Sequence, residues 1–493
     1  MLRAVHVLLL VVCFFNPYIQ KKETMKKKFL SLALLFLLAL TSFAEGRAKY
    51  VFYFIGDGMG VNQVNLTETY LAATQGRIGV EPLLFTGFPF TGFVTTYSAT
   101  NGVTDSSAGG TALATGVKTR NGAVGMTDDK EVVPVSVAEV AKAAGAAVGV
   151  ATSVSIDHAT PASFYAHVPN RNMYYEIGRD LVRTGFDFYA GSDFLKPKPD
   201  NSTEPDDLYG LCLHAGYAIA RGLDDYIKMV PEAQKGMILF QDKGAADRSS
   251  LPYAINRKAG ELSLAEITHA GIDYLNYLKK DGFFFMIEGG KIDWACHAND
   301  AATVIHEVID MDEAVKEAYN FYLQHPDETL IVITADHETG GLSLGIGAYE
   351  LHTDLLQHQA MSADQYTKHI SELCMQHGDN LSWEMVKQDL TAHWGFWEKV
   401  KLDDAETERL QKAFDTLKAG MSQGDSNLYS KEDALSTTAR RILNRKAHIG
   451  WQSGGHSNGI VPVFAIGAGA ELFVGKLENT DIPKRIAKAA GWK

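Results

Sequence analysis

The chain has 493 residues, of which 46% are apolar and 21% charged, so it can bury a large core and exceeds the length that one compact core normally uses. A formal net charge of −13 with no basic stripe excludes nucleic acid as a partner, because nothing offsets phosphate repulsion. An anionic small molecule would need positive charge concentrated at one point, which metal ions supply.

Residues 1–44 read as a leader outside the fold. Met25-Lys26-Lys27-Lys28 gives a basic n-region, Phe29 to Leu40 an apolar h-region and Ser42-Phe43-Ala44 a small-x-Ala cleavage site, which puts the mature start near Glu45. Residues 1–24 carry a second apolar stretch, Val7 to Phe15, and read either as a real extension or as a start assigned too early, with Met25 the true one. Neither apolar run reaches the roughly 20 residues needed to span a bilayer. The expected product is exported, periplasmic or secreted, with no stable membrane span after leader removal. Cys13 falls in the leader, leaving Cys212, Cys296 and Cys374; an odd count without CxxC argues against a disulfide framework and a thiolate zinc site, though one disulfide can still form. Metal chemistry would then rest on oxygen and nitrogen ligands.

Along the mature chain, short runs rich in Val, Ile and Phe predict strands at Tyr50 to Ile55, Ala147 to Ala151, Gly236 to Phe240, Phe283 to Ile287, Thr329 to Thr334 and Val461 to Ile466. Helical stripes lie between them, as in Leu262 to Leu278 and Ala302 to Phe321. Apolar strands alternating with helices predict an α/β fold with a largely parallel central sheet flanked by helices on both faces, and ligands in such sheets sit beyond the strands' carboxyl ends. Asp57, Glu288 and Asp336 fall there. From Tyr349 to Lys446 the alternation stops. Helical stretches Leu351 to Met375, Trp383 to Val400 and Glu406 to Leu417 predict a helical insertion or cap at 349–446, leaving 45–348 and 447–493 as the catalytic domain.

Motifs at those strand ends carry the chemistry. Phe54-Ile55-Gly56-Asp57-Gly58-Met59-Gly60 ends the first strand. Ser106 opens a run of small residues to Gly116 that reads as a helix starting tightly after Asp105; a hydroxyl there suits a nucleophile that will carry an anion, or is a plain N-cap. Arg171, downstream of Asp157-His158-Ala159-Thr160-Pro161, offers a planar fork to two phosphate oxygens or a surface ion pair. Asp293 and His297, four apart, project from one helical face as a metal clamp or a surface pair. Asp336-His337 follows an apolar strand, and His456 lies among Gly454, Gly455 and Gly459. The insertion's histidines, including His352, His358, His369, His377 and His393, read as solvated.

The order and local sequence of these motifs resemble the alkaline phosphatase family, from about Tyr50 to Gly345 and again from about Gly450 to Gly467. The stretch Val103 to Gly122 (VTDSSAGGTALATGVKTRNG) is the most specific part. The resemblance implies hydrolysis of small phosphate monoesters by two-zinc catalysis through a phosphoserine on Ser106. It implies one zinc on Asp293, His297 and His456, a second on Asp57, Asp336 and His337 with Ser106 held against it, and a third ion, Mg2+ or Zn2+, on Asp57, His158, Thr160 and Glu288. Arg171 would hold the non-bridging phosphoryl oxygens, and a homodimer is the implied assembly. Trp294 replaces a lysine, and His158 an aspartate, found in some family members; the losses imply weaker product binding and a third site less suited to magnesium. The alternatives are a phosphodiesterase of the same superfamily and a non-catalytic metal-binding relative. A sulfatase lacks support, because Ser106 is followed by Ser-Ala-Gly-Gly and not by the required x-Pro-x-Arg.

Overall fold

Six of the strands in the structure begin where the Val-, Ile- and Phe-rich runs begin. The computed structural model describes residues 47–199, 207–242, 247–347, 349–420, 424–426, 429 and 431–493; the expected leader at 1–44 lies outside the described residues. In chain order the strands are β1 Tyr50–Gly56, β2 Phe90–Thr95, β3 Ala147–Thr152, β4 Phe188–Gly191, β5 Tyr217–Arg221, β6 Gly236–Phe240, β7 Phe283–Gly289, β8 Thr329–Thr334, β9 Glu338–Thr339, β10 Ser343–Leu344, β11 Ile449–Gly450, β12 His456–Ser457, β13 Val461–Gly467 and β14 Gly475–Glu478. Ten of them form one sheet in the order β14-β2-β13-β8-β1-β7-β3-β4-β6-β5. The fold is α/β, with this largely parallel sheet covered by helices.

β3, β7 and β8 are buried at every position and β1 at all but its first, so helices cover both faces and the strand sequences need no polar alternation. β2, β4, β5 and β14 are absent from the sequence reading. β4 has four residues, and β2 and β14 lie at one margin, where Phe93 and most of β14 face outward. Short edge strands bury too little apolar surface to leave a continuous run. β13 pairs antiparallel with both β8 and β2, the exceptions in the otherwise parallel main sheet.

Residues 349–446 carry helices Ala363–His377, Trp383–Trp394, Asp404–Lys418 and Ala434–Lys446, which enclose a second apolar cluster around Trp394, Phe396 and Leu410. That cluster is anchored on Leu66, Ala301, Ala302 and Ile305 of the helices flanking the sheet. Two boundaries differ from expectation. The stretch from Leu351 splits, because Ser362 caps a new helix through Gln365 N at 3.2 Å, and the next helix stops at Trp394, where Gly395 turns left-handed. Cys212, Cys296 and Cys374 are all free. No helix among the described residues is long and apolar enough to cross a membrane.

His369 and His393 are not solvated as expected: both are half-buried on Asp389, His369 Nε2 at 2.7 Å from Oδ2 and His393 Nδ1 at 3.3 Å from Oδ1, while Tyr366 donates to Oδ1 at 2.8 Å. Burial alone would raise the Asp389 carboxyl, but hydrogen bonds from His393, His369 and Tyr366 hold it below the usual range. The hydrogen bond to Asp389 holds His393 above its ordinary value. A depressed carboxylate contributes stability above its unfolded pKa of about 4 and loses it as pH falls through the lowered value. A raised imidazole contributes below its unfolded pKa of about 6.5 and loses it as pH rises through the raised value. The network is therefore worth most between about pH 4 and 6.5. His393→Ala is expected to lower Tm more at pH 5.5 than at pH 9; equal losses in thermal unfolding at the two pH values would refute this coupling.

Candidate metal centre

β8, β1 and β7 are adjacent and parallel, so their carboxyl ends deliver side chains to one edge of the sheet. Asp57 follows β1, Glu288 lies within the end of β7 opposite Ile55, and Asp336-His337 follows β8. The helix Lys291–His297 starts directly after β7 and presents Asp293 and His297 one turn apart. β13 enters the sheet from this same edge because it runs antiparallel to β8. That places His456 beside His337, and β12 pairs His456 with Thr339 of β9.

The Ser106–Thr115 helix meets this edge head-on. Asp105 caps it by accepting from Ala108 N at 3.0 Å, leaving Ser106 as its first residue. Its small residues are steric necessities: a Cβ on Gly109 would sit 2.8 Å from the Asp336 carbonyl, and one on Gly110 would sit 2.9 Å from Ser163 Oγ. Gly58, at φ +70°, donates its N–H to Asp336 Oδ1 at 3.2 Å, and a Cβ there would meet Asp293 Oδ1 at 2.9 Å.

Three groups of ligand-type atoms converge, each within 4.8 Å of one another: Asp293, His297 and His456; Asp57, Asp293 and His337; and Asp57, His158 and Glu288. Asp336 stands beside the second, its Oδ2 3.4 Å from His337 Nε2, with Asp57 Oδ1 at 3.3 Å and Ser106 Oγ at 3.2 Å from the same nitrogen. Thr160 Oγ1 lies 3.4 Å from Asp57 Oδ2 and 3.3 Å from Asp336 Oδ2. The ten residues expected at the metal sites, Ser106 included, thus fall in one cluster.

Proton positions show what the cluster is suited to hold. His297 Nδ1 faces the Gly454 carbonyl at 2.6 Å and His456 Nδ1 the Thr104 carbonyl at 2.8 Å. A carbonyl can only accept, so both Nδ1 atoms carry a hydrogen, and each ring in its neutral form presents a lone pair at Nε2. Those lone pairs face each other at 3.2 Å, with Asp293 Oδ2 3.3 Å from His297 Nε2. Thr339 repeats the device: its hydroxyl donates to Asp293 Oδ1 at 2.5 Å and so accepts from His337 Nδ1 at 3.2 Å, turning the His337 Nε2 lone pair inward. Asp57 Oδ1, Asp293 Oδ2 and Glu288 Oε1 are buried with no hydrogen-bond partner. Facing lone pairs and orphaned carboxylate oxygens fit cations of the zinc type at the imidazole-containing groups.

The charges agree. Burial and the neighbouring carboxylates push Asp57 and Asp336 well above the carboxylate range, and burial raises Glu288 to about 7. Burial would raise Asp293 too, but positive charge on His297, His456 and His337 holds it well below its usual value, and Asp293 in turn outweighs burial to raise His297; a bound cation would supply that positive charge with the imidazoles neutral.

Arg171 approaches from the side. Nη1 pairs with Asp105 Oδ2 at 3.3 Å and Nη2 points at His158 Nε2 at 3.3 Å, while burial and the nearby guanidinium lower His158 to about 3. A guanidinium only donates, so His158 Nε2 is a lone pair already engaged, and Nδ1 is left buried and unpartnered. His158 therefore stands between Arg171 and the third group, and would have to release Arg171 to offer Nε2 to an ion there. Tyr429, from the insertion, was not singled out from the sequence. It stacks on Trp294 with centroids 4.3 Å apart and planes within 8°, packs edge-on to His158 and His297, and comes within 3.5 Å of Arg171 Nη2. An isolated tyrosine in a polar stretch gives no periodic signal. Thr339 was equally silent, although it neighbours a motif; Asp105 was read as the residue before the helix, but its hold on Arg171 was not.

The alkaline phosphatase family model matches residues 48–185 and 226–492. The chain belongs to the alkaline phosphatase family. It is 32% identical over 485 residues to alkaline phosphatase 3 of Bacillus subtilis, covering 94% of this chain and 97% of that protein. Among solved structures, the cold-active alkaline phosphatase from a psychrophilic Shewanella superposes with a TM-score of 0.73 at 28% identity, covering 90% of this chain and 99% of that one. The Thermus thermophilus alkaline phosphatase gives 0.70 at 28%, covering 91% and 92%. This chain is accordingly a phosphatase, an enzyme of phosphomonoester hydrolysis, and its family implies metal ions. Exhaustive chelation is expected to lower Tm substantially, since a ligand at a thousand times its Kd stabilises by about 4 kcal/mol. Unchanged calorimetric unfolding after verified metal removal would contradict the fit.

Proposed function

We propose that this phosphatase works by two-zinc catalysis through a phosphoserine on Ser106, with one zinc held by Asp293, His297 and His456 and the other by Asp57, Asp336 and His337. A third ion, magnesium or zinc, belongs to Asp57, His158, Thr160 and Glu288. The observation that carries this reading is the convergence of inward lone pairs on the point where Ser106 Oγ sits, 3.2 Å from His337 Nε2.

When bound, such ions supply positive charge that acidifies a hydroxyl or water and stabilises both the attacking and the leaving oxygen of an in-line displacement. The chain's own residues do the rest. Asp105 fixes the first helical turn, so Ser106 Oγ is aimed by the backbone and needs no reorganisation to attack phosphorus. Its hydroxyl proton is lost as the P–O bond to serine forms and the alcohol departs on the opposite side. Arg171, held by Asp105, offers its fork to the non-bridging oxygens and favours a dianionic monoester over a diester. Water entering from the vacated side then cleaves the phosphoserine and releases inorganic phosphate. We assign residues 349–446 as a cap, because they deliver Tyr429 to the wall formed by Trp294 and Arg171.

Hydrolysis of p-nitrophenyl phosphate against bis-p-nitrophenyl phosphate, with chelator and with zinc restored, tests the reading. The monoester should be strongly preferred and its turnover zinc-restorable; diester preference would move the assignment to a phosphodiesterase. Ser106→Ala should lose at least about 1,000-fold in kcat, in line with removal of other catalytic nucleophiles, while retaining its zinc. Full turnover in that variant would reject the phosphoserine.

The third ion has its own test. Structures of the alkaline phosphatase from the Antarctic bacterium TAB5, in which a histidine is replaced by glutamate or aspartate, hold magnesium in the M3 site. His158 is the histidine of the third group here, and an imidazole suits zinc better than magnesium. His158→Asp is expected to raise the magnesium retained after dialysis by elemental analysis. Stoichiometric, tightly held magnesium in the unaltered protein would overturn this.

A further inference from the structure

Away from the catalytic edge, a further group of ligand-type side chains lies where the chain enters and leaves the helices of residues 349–446. Glu350 and His352 stand at the entry and His448 just past the exit, and one ligand atom from each falls within 4.8 Å of the others. His352 Nε2 is 3.3 Å and His448 Nε2 4.0 Å from the same carboxylate oxygen, Glu350 Oε2. The two rings meet edge to face with centroids 5.4 Å apart. This group shares no residue with the catalytic edge.

The backbone fixes the two segments against each other. Ser343 and Leu344 of β10 pair with Gly450 and Ile449 of β11, the His448 carbonyl accepts from Gly345 N at 2.9 Å and from Ile346 N at 3.0 Å, and His352 N donates to the Ala447 carbonyl at 3.3 Å. His448 itself sits at φ +58°, a left-handed conformation that favours glycine. Such a conformation costs free energy and persists where the surrounding structure requires that residue. His448 Nδ1 lies 3.1 Å from the Ile346 carbonyl, so Nδ1 carries a hydrogen and the neutral ring presents its lone pair at Nε2. The same device, a backbone carbonyl on Nδ1, aims Nε2 of His297 and of His456 at the catalytic edge.

At His448 that lone pair faces a carboxylate oxygen, acceptor against acceptor, and positive charge between them makes the meeting favourable. Two imidazoles and a carboxylate are a zinc-type donor set. Zinc–ligand bonds of about 2.0–2.2 Å at tetrahedral angles put neighbouring ligand atoms about 3.3 Å apart. His352 and Glu350 already have that separation, and the exposed Glu350 side chain has the freedom to close the remaining distance to His448. We infer that Glu350, His352 and His448 form a separate, non-catalytic site for a zinc-type ion, which staples the entry of residues 349–446 to their exit. Water would complete its coordination. A metal clip across the ends of a long loop stabilises the fold of what lies between, here the helices and Tyr429, without touching the phosphoryl chemistry.

The experiment counts zinc in the full protein and in two variants, His352→Ala and His448→Gly. Each is dialysed to equilibrium against about 20 µM zinc chloride at about pH 7.5, where free imidazole is mostly neutral, and its bound zinc is measured by elemental analysis. The unaltered protein should hold one zinc per chain more than either variant, the catalytic groups being common to all three. His448→Gly guards against misfolding, because glycine relaxes the left-handed backbone while removing the ligand. Raising zinc from the catalytic complement to about 100 µM should lift the Tm of the unaltered protein by about 2 °C or more, and that of the variants by less than about 0.5 °C. Turnover of p-nitrophenyl phosphate by the zinc-dialysed variants should stay within about twofold of the unaltered protein. Equal zinc in the unaltered protein and in either variant would overturn the site, as would equal thermal shifts; a larger loss of turnover in folded His448→Gly would overturn its non-catalytic role.

Discussion

An excess of buried lone pairs at one point governs the architecture. Asp57, Glu288, Asp293 and Asp336 are wholly buried at the carboxyl edge of the sheet, and His297, His337 and His456 turn their Nε2 atoms towards the same volume. Left to themselves, such groups repel one another and must take up protons or lose their burial. Positive charge is the partner they share. Much of the surrounding structure serves to keep them facing inward: the Gly454 and Thr104 carbonyls and the Thr339 hydroxyl fix the imidazole tautomers, and Gly58 and Gly109 let backbones approach where any larger residue would collide.

Trp294 and His158, the two positions where some family members carry other residues, become coherent in this setting. Trp294 does not leave a hole where a lysine would reach; it forms a stacked wall with Tyr429 that closes one side of the site. His158 accepts from Arg171, tying that guanidinium to the third group of ligand-type residues. Arg171 is consequently held by an anion, Asp105, and an imidazole, so its fork is oriented before any phosphate arrives. An oriented fork loses less entropy on binding than a free side chain.

The insertion shapes the surroundings of the chemistry without supplying its ligands. Its helices pack around their own apolar cluster, anchored on the helices that flank the sheet. Through that anchor it supplies Tyr429, which packs edge-on to His297. The groups that could hold a metal thus come from the edge of the sheet, while Tyr429 beside them comes from residues 349–446.

Period and residue type were enough to read β1, β3, β6, β7, β8 and β13, because strands buried on both faces must be continuously apolar. The ligand-type residues were legible for a related reason: Asp57, Glu288, Asp293, Asp336, His337 and His456 stand just beyond or within such runs, or in glycine-rich turns, and only a strand end brings distant carboxylates to one place. Edge strands β2 and β14 were not legible, since half-exposed residues leave no run, and His369 and His393 looked solvated until a neighbouring helix brought Asp389 between them. Tertiary structure alone decided that β13 runs antiparallel and so returns His456 to the edge, that Arg171 rests on Asp105, and that Tyr429 covers Trp294. The sequence determines which groups are available and which faces are buried, because those depend on side-chain chemistry and period. Which groups meet depends on strand direction and on how the insertion folds back, and neither leaves a local trace.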